Sequence, residues 1–136
     1  MNPQLTKALA GTLVCAVVQL VHGSVQAGEV IAHPSITLSA NDIRDVYLGE
    51  KQLDGRLRLA PIDNAAAQEE FLAAILQTNQ RNYQARWARK TYREGLRAPQ
   101  VKANDAEVQS YVRSNPGAIG YLSGAAGAGV TVLDRY

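Results

Sequence analysis

One α/β domain, with a small mixed sheet flanked by about four helices, is the fold class this sequence predicts, on three observations. Short β-type runs alternate with stretches whose apolar residues recur at helical spacing. Polar caps and glycine stops bracket those stretches. Turn signals, "DG" at Asp54-Gly55 and "NPG" at Asn115–Gly117, fall between elements rather than inside them. No internal repeat and no low-complexity linker divides residues 28–136, a length that suits one small domain and not two.

The elements follow in order. "GEVIAHP" (Gly28–Pro34) is a β-type run that Pro34 stops. Ser39-Ala40-Asn41-Asp42 is a capping box, and it opens a helix that buries Ile43, Val46 and Tyr47 before Gly49 ends it. "RLRLAPI" (Arg56–Ile62) alternates polar and apolar residues as a half-buried strand does. A second helix is expected from about Ala65 to Gln77, capped by Asp63 or Asn64, with Phe71, Leu72, Ile75 and Leu76 inward. A third begins near Gln80 with Tyr83, Trp87 and Thr91 on one face; Gly95 and Pro99 close it. Asn104 to Glu107 repeats the capping logic for a fourth helix burying Val108, Tyr111 and Val112. "AIGYLS" (Ala118–Ser123) and "VTVLDRY" (Val130–Tyr136) are strands joined by the flexible turn "GAAGAG".

Ahead of the domain, residues 1–27 carry a signal-peptide pattern: Lys7, then the apolar run Ala8–Val21, then small residues at Val25 and Ala27. Cleavage is expected after Ala27, which places the domain in the periplasm without a stable membrane span; an uncleaved anchor is the alternative. Cys15, the one cysteine, lies in that run, so residues 28–136 hold no thiol. The formal net charge of +2 hides a segregation: Arg81 to Lys102 holds seven basic residues and one acid, Glu94. Arg86, Arg89, Lys90, Arg93 and Arg97 form a stripe that is either a solvated helix face or a dock for an envelope partner or a second copy. Nucleic acid is excluded by export.

The segments "LSANDIRDVYLGEK", "APIDN…EEFL", "YQARWARKTYREG" and "DAEVQSYVRSNPGAIGYL" carry a resemblance that periodicity alone does not. In order and spacing they resemble the substrate-binding proteins of phosphate ABC transporters, in particular short, one-lobe members of that type II periplasmic binding-protein superfamily. The resemblance runs from about Val30 to Leu122. It implies a single lobe of a fold whose full-length members close two lobes on phosphate. It also implies that the junction at Ile62–Ala67 matches a place where relatives carry an Arg and a Ser-Gly-Thr run. This chain has Asp63, Asn64 and Ala65 to Ala67 there instead. A carboxylate about 4 Å from phosphate repels it by on the order of 4 kcal/mol near a surface. Helix-start N–H groups return at most about 2 kcal/mol. The phosphate site is therefore expected to be degenerate, with a mouth formed by Ser39, Asp63, Asn64, Ala65 and Ala66 that uses backbone N–H groups for a small anion or other small solute.

Catalytic chemistry finds little support. His33 is the one histidine of residues 28–136, too few for a metal site with Asp42 and Asp45, and no cofactor motif is present. His33 and Ser35 are read as strand neighbours whose side chains diverge, and Asp63, Glu69 and Glu70 as exposed partners of a helix dipole. "GAAGAG" lacks the Lys-Ser/Thr of a phosphate loop and precedes a strand.

Overall fold

A computed structural model describes residues 28–136, and the expected signal peptide lies outside the described residues. The described elements are β1 (Glu29–Ala32), α1 (Ala40–Tyr47), β2 (Leu53–Asp54), β3 (Leu57–Arg58), β4 (Ala60–Asn64), α2 (Gln68–Phe71), a π-helical segment (Leu72–Leu76), α3 (Gln80–Glu94), β5 (Gln100–Lys102), α4 (Asp105–Ser114), β6 (Ala118–Leu122) and β7 (Thr131–Arg135). Five strands form one sheet in the order β5-β4-β6-β1-β7, and β2 and β3 make a separate hairpin. β4 runs parallel to β5 and β6, whereas β1 is antiparallel to both β6 and β7.

Period-two alternation divides the core between the two faces of the sheet. Val30, Ala32, Ile119 and Tyr121 point into the larger cluster with Ile43, Tyr47, Phe71, Leu72, Tyr83 and Trp87. Ile31, Ala118 and Leu122 point into a smaller cluster with Ile62, Val108 and Val112 of α4. Gly120 lets α4 approach: a Cβ there would stand 2.6 Å from Val108 Cγ1. At the centre of the larger cluster Phe71 stacks on Tyr121 with ring centroids 3.8 Å apart, and Tyr47 meets both edge-on. The Tyr47 hydroxyl donates to the carbonyls of Ile62 and Ile119, and Trp87 Nε1 donates to the Tyr47 carbonyl.

Most local expectations hold. Ser39 and Asp42 form both halves of the capping box, and Gly49 and Gly95 take the left-handed conformation at φ 74° and 68°. Three differ. The strand expected over Arg56–Ile62 divides, because the Asp54-Gly55 turn closes the β2–β3 hairpin and β4 begins afresh at Ala60. The second helix starts at Gln68 rather than Ala65 and widens to a π-helix at Leu72, which Gln77 stops at φ 53°. β5, which sequence reading left as loop, is a three-residue edge strand. Tyr111, expected to be buried, is half-buried and carries the Lys102 ammonium 4.9 Å from its ring.

Candidate functional site

The parallel strands β4, β5 and β6 end together, and the chain leaves β4 over one face of the sheet and β5 over the other. The carboxyl ends of strands at such a switch point are where open α/β sheets hold ligands. Asp63 and Asn64, the last residues of β4, stand there, but neither caps a helix through an exposed side chain. Asp63 is 2% exposed. Its carboxylate accepts hydrogen bonds from the Tyr83 hydroxyl (3.0 and 3.2 Å) and the Tyr121 hydroxyl (2.9 Å). Burial pushes the Asp63 carboxyl up to about 6, against the opposing pull of the two phenols. Burial, reinforced by the nearby carboxylate, pushes both phenols well above their ordinary range.

Asn64 is fully buried and fastens the junction from within. Its amide donates to Asp105 Oδ1 (2.8 Å) and to the Tyr121 carbonyl (3.0 Å), while its side-chain oxygen accepts from the Ala66 N–H (3.0 Å). The Ala65 N–H donates to the Lys102 carbonyl and the Ala67 N–H to the Asn64 carbonyl. The donors that sequence reading offered to a ligand at Ala65 and Ala66 are therefore spent inside the chain. The Ser39 hydroxyl oxygen accepts from the Asp42 N–H (3.1 Å), and among the described residues no hydrogen bond joins Ser39 to the junction.

Asp105, which sequence reading treated only as part of a cap, completes this end of the sheet. One oxygen accepts from Asn64 and the Ser123 N–H, the other from the Ser123 hydroxyl and the Gly124 N–H. Burial works to raise the Asp105 carboxyl, but these hydrogen bonds together hold it below its ordinary range. The chain's own carboxylate thus takes the N–H groups of the β6 exit. An Asp followed 18 residues later by a Ser at the end of an apolar strand carries no recognisable spacing, so only the fold reveals the pair.

A groove of about 630 Å³ opens beside Asp63, between α3 and the β4–β5 edge. Asp63 pairs in register with Val101, so their side chains share a face of the sheet. Tyr83, Trp87, Tyr92 and Pro99 wall the groove, Gln68, Gln80 and Gln84 add amides, and Asp63 is the one charged residue of the lining. Tyr92 and Val101 stand exposed at its rim. A second cavity of about 370 Å³ lies toward the start of β4, lined by Lys51, Arg58 and Arg97 among others, and Trp87 borders both.

The basic stripe divides in two. Arg86 donates to Glu50 at 2.6 Å and to the Leu48 carbonyl, and Lys90 reaches Glu50 at 3.1 Å and the Gly49 carbonyl. These two tie the end of α1 to α3. Arg89, Arg93 and Arg97 are exposed, with no ion pair among the described residues. His33 and Ser35 do not diverge as expected: the chain turns, and Nδ1 lies 2.8 Å from the Ser35 Oγ, which also accepts from the Gly117 N–H. His33 is half-buried and Ser35 exposed, and no carboxylate orients the imidazole among the described residues. No cluster of three His, Cys, Asp or Glu occurs among the described residues.

This fold is that of one lobe of phosphate-transport binding proteins. It matches an ABC-type phosphate transport receptor from Vibrio cholerae (TM-score 0.56, 12% identity, covering 79% of this chain and 45% of that one). It matches a protein from Clostridium perfringens described as a phosphate ABC transporter substrate-binding protein, solved with bound phosphate (TM-score 0.59, 17% identity, 79% and 44% covered). PstS from Borrelia burgdorferi is also similar (TM-score 0.51, 18% identity, 71% and 40% covered). The chain spans less than half the length of these structures. No protein-family model and no curated protein sequence matches it.

Proposed function

We propose that this protein is an exported, non-enzymatic solute-recognition component of the phosphate-ABC-transporter substrate-binding type, in which the inherited phosphate site is degenerate. The observation that carries the reading is the pairing of this lobe fold with a groove at Asp63 that contains no cationic side chain. The structural neighbours are phosphate transport proteins, and one holds phosphate, which supports a binding role over a catalytic one. Against phosphate itself stand the Asp63 carboxylate, the spent N–H groups of Ala65 and Ala66, and Asp105 on the donors of the β6 exit. No described helix is long and apolar enough to cross a membrane.

Thermal-shift and calorimetric titration of the full chain against inorganic phosphate and a panel of small organic solutes tests this. Stabilisation by one solute class with phosphate inert is the expected result. Tight phosphate binding by the monomer overturns the degenerate site, and inertness to every solute overturns the recognition role.

A further inference from the structure

We propose that the groove beside Asp63 receives a small organic cation, an ammonium or guanidinium group on a short apolar stem, with the Asp63 carboxylate as its counter-ion. The inference deepens the solute-recognition reading and rests on it. Asp63 is a buried carboxylate whose two recorded donors are neutral hydroxyls, and it forms no ion pair among the described residues. A carboxylate offers about four acceptor positions, so two phenols leave it able to accept from a third donor. A buried charge without a partner of opposite sign is costly, and an entering cation removes that cost where an anion would add to it.

The walls suit the same guest. Tyr83, Trp87 and Tyr92 present aromatic surface, which attracts cations through the ring quadrupole, and Pro99 and Val101 supply apolar contact for a stem. A groove of about 630 Å³ is of the size that holds small molecules. Basic side chains line the second cavity instead, where Lys51, Arg58 and Arg97 stand, and Trp87 borders both. The two cavities therefore differ in sign, and the one at the carboxyl ends of the strands is the anionic one.

Trp87 is the sole tryptophan and borders the groove, so its fluorescence reports occupancy in the full chain. Titration with n-butylguanidinium and n-butylammonium is expected to give a saturable change, with n-butyrate and inorganic phosphate as inert controls. The groups facing Asp63 are Tyr83 of α3 and Tyr121 of β6, with Tyr47 of α1 beyond them; all three phenols are shifted upward and stay neutral between pH 5 and 8. A carboxyl titrating near pH 6 is about nine-tenths protonated at pH 5, so cation affinity is expected to fall about tenfold from pH 8 to pH 5.

Asp63→Asn should weaken cation binding at least about tenfold. Ala88→Lys places a like charge on an exposed groove position and should do the same with an unchanged melting temperature, whether or not Asp63→Asn folds. Affinity equal at both pH values, or indifferent to Ala88→Lys, overturns the proposal. Binding of butyrate or phosphate in place of the cations overturns it while leaving solute recognition standing. Silence from these probes and from the wider solute panel overturns both.

Discussion

Asp63 is a residue whose ionisation works against the fold. Unfolded, it releases its proton near 3.8; folded, it keeps the proton until about 6. Between those values the native state binds more protons than the unfolded one, so stability falls as pH rises. The difference is on the order of 3 kcal/mol, present in full below about pH 4 and gone above about pH 6. Urea unfolding at pH 4.5, 5.5 and 7 is expected to show this slope in the native chain and its absence in Asp63→Asn. Tyr83→Phe removes one donor from the carboxylate and should cost about 1.5–3 kcal/mol at pH 7, less where the carboxyl is neutral. Equal cost at both pH values would show that the Tyr83 hydroxyl does not act through the charge.

The junction between β4 and α2 is fastened at the element scale by the chain's own side chains and backbone. Asn64 bonds to α4, β6 and the start of the turn at once, through Asp105, the Tyr121 carbonyl and the Ala66 N–H. Asn64→Ala removes all three of these hydrogen bonds from a fully buried position and should cost about 2–4 kcal/mol, read as a lower urea midpoint with unchanged slope. The contact of α4 with β6 is set by Gly120, where an added methyl meets Val108, Val112 and Ile62 within 3.3 Å. Gly120→Ala overpacks that face and should cost about 1–3 kcal/mol, whereas Gly124→Ala, whose nearest neighbour is 3.8 Å away, should not be felt through packing.

At the scale of the whole molecule, the first and last described residues pair with each other and extend the β1–β7 ladder at one edge of the sheet. The Gly28 N–H donates to the Tyr136 carbonyl and the Tyr136 N–H to the Gly28 carbonyl. A side chain at residue 28 would collide with the Leu122 carbonyl and the Tyr136 ring. Mass spectrometry and N-terminal sequencing of the exported product should find Gly28 as its first residue; an intact residue 1–27 segment would establish the anchor alternative. The arginines Arg89, Arg93 and Arg97 remain open on the surface. Their replacement by Gln should change stability by less than about 0.5 kcal/mol in the urea assay, as surface substitutions away from packed features do.

The sequence by itself determined the class of fold, the helix starts at Ser39, near Gln80 and at Asn104, the stops at Gly49 and Gly95, and the apolar faces of the first three helices. These are local: caps, left-handed glycines and periodicity act within a few residues, so they are readable in one dimension. It also marked residues 62–67 as the place to look. What those residues do was decided only by tertiary structure. Asp63 and Asn64 look like caps because both residue types favour helix starts. They are buried instead because Tyr83 and Tyr121 lie 20 and 58 residues away in sequence, and Asp105 lies 41 away from Asn64. The same distance in sequence hid β5, three residues that pair only because β4 offers an open edge. Polar partners brought together across a sheet leave no spacing behind, and for that reason the charge of the groove was legible only once the chain had folded.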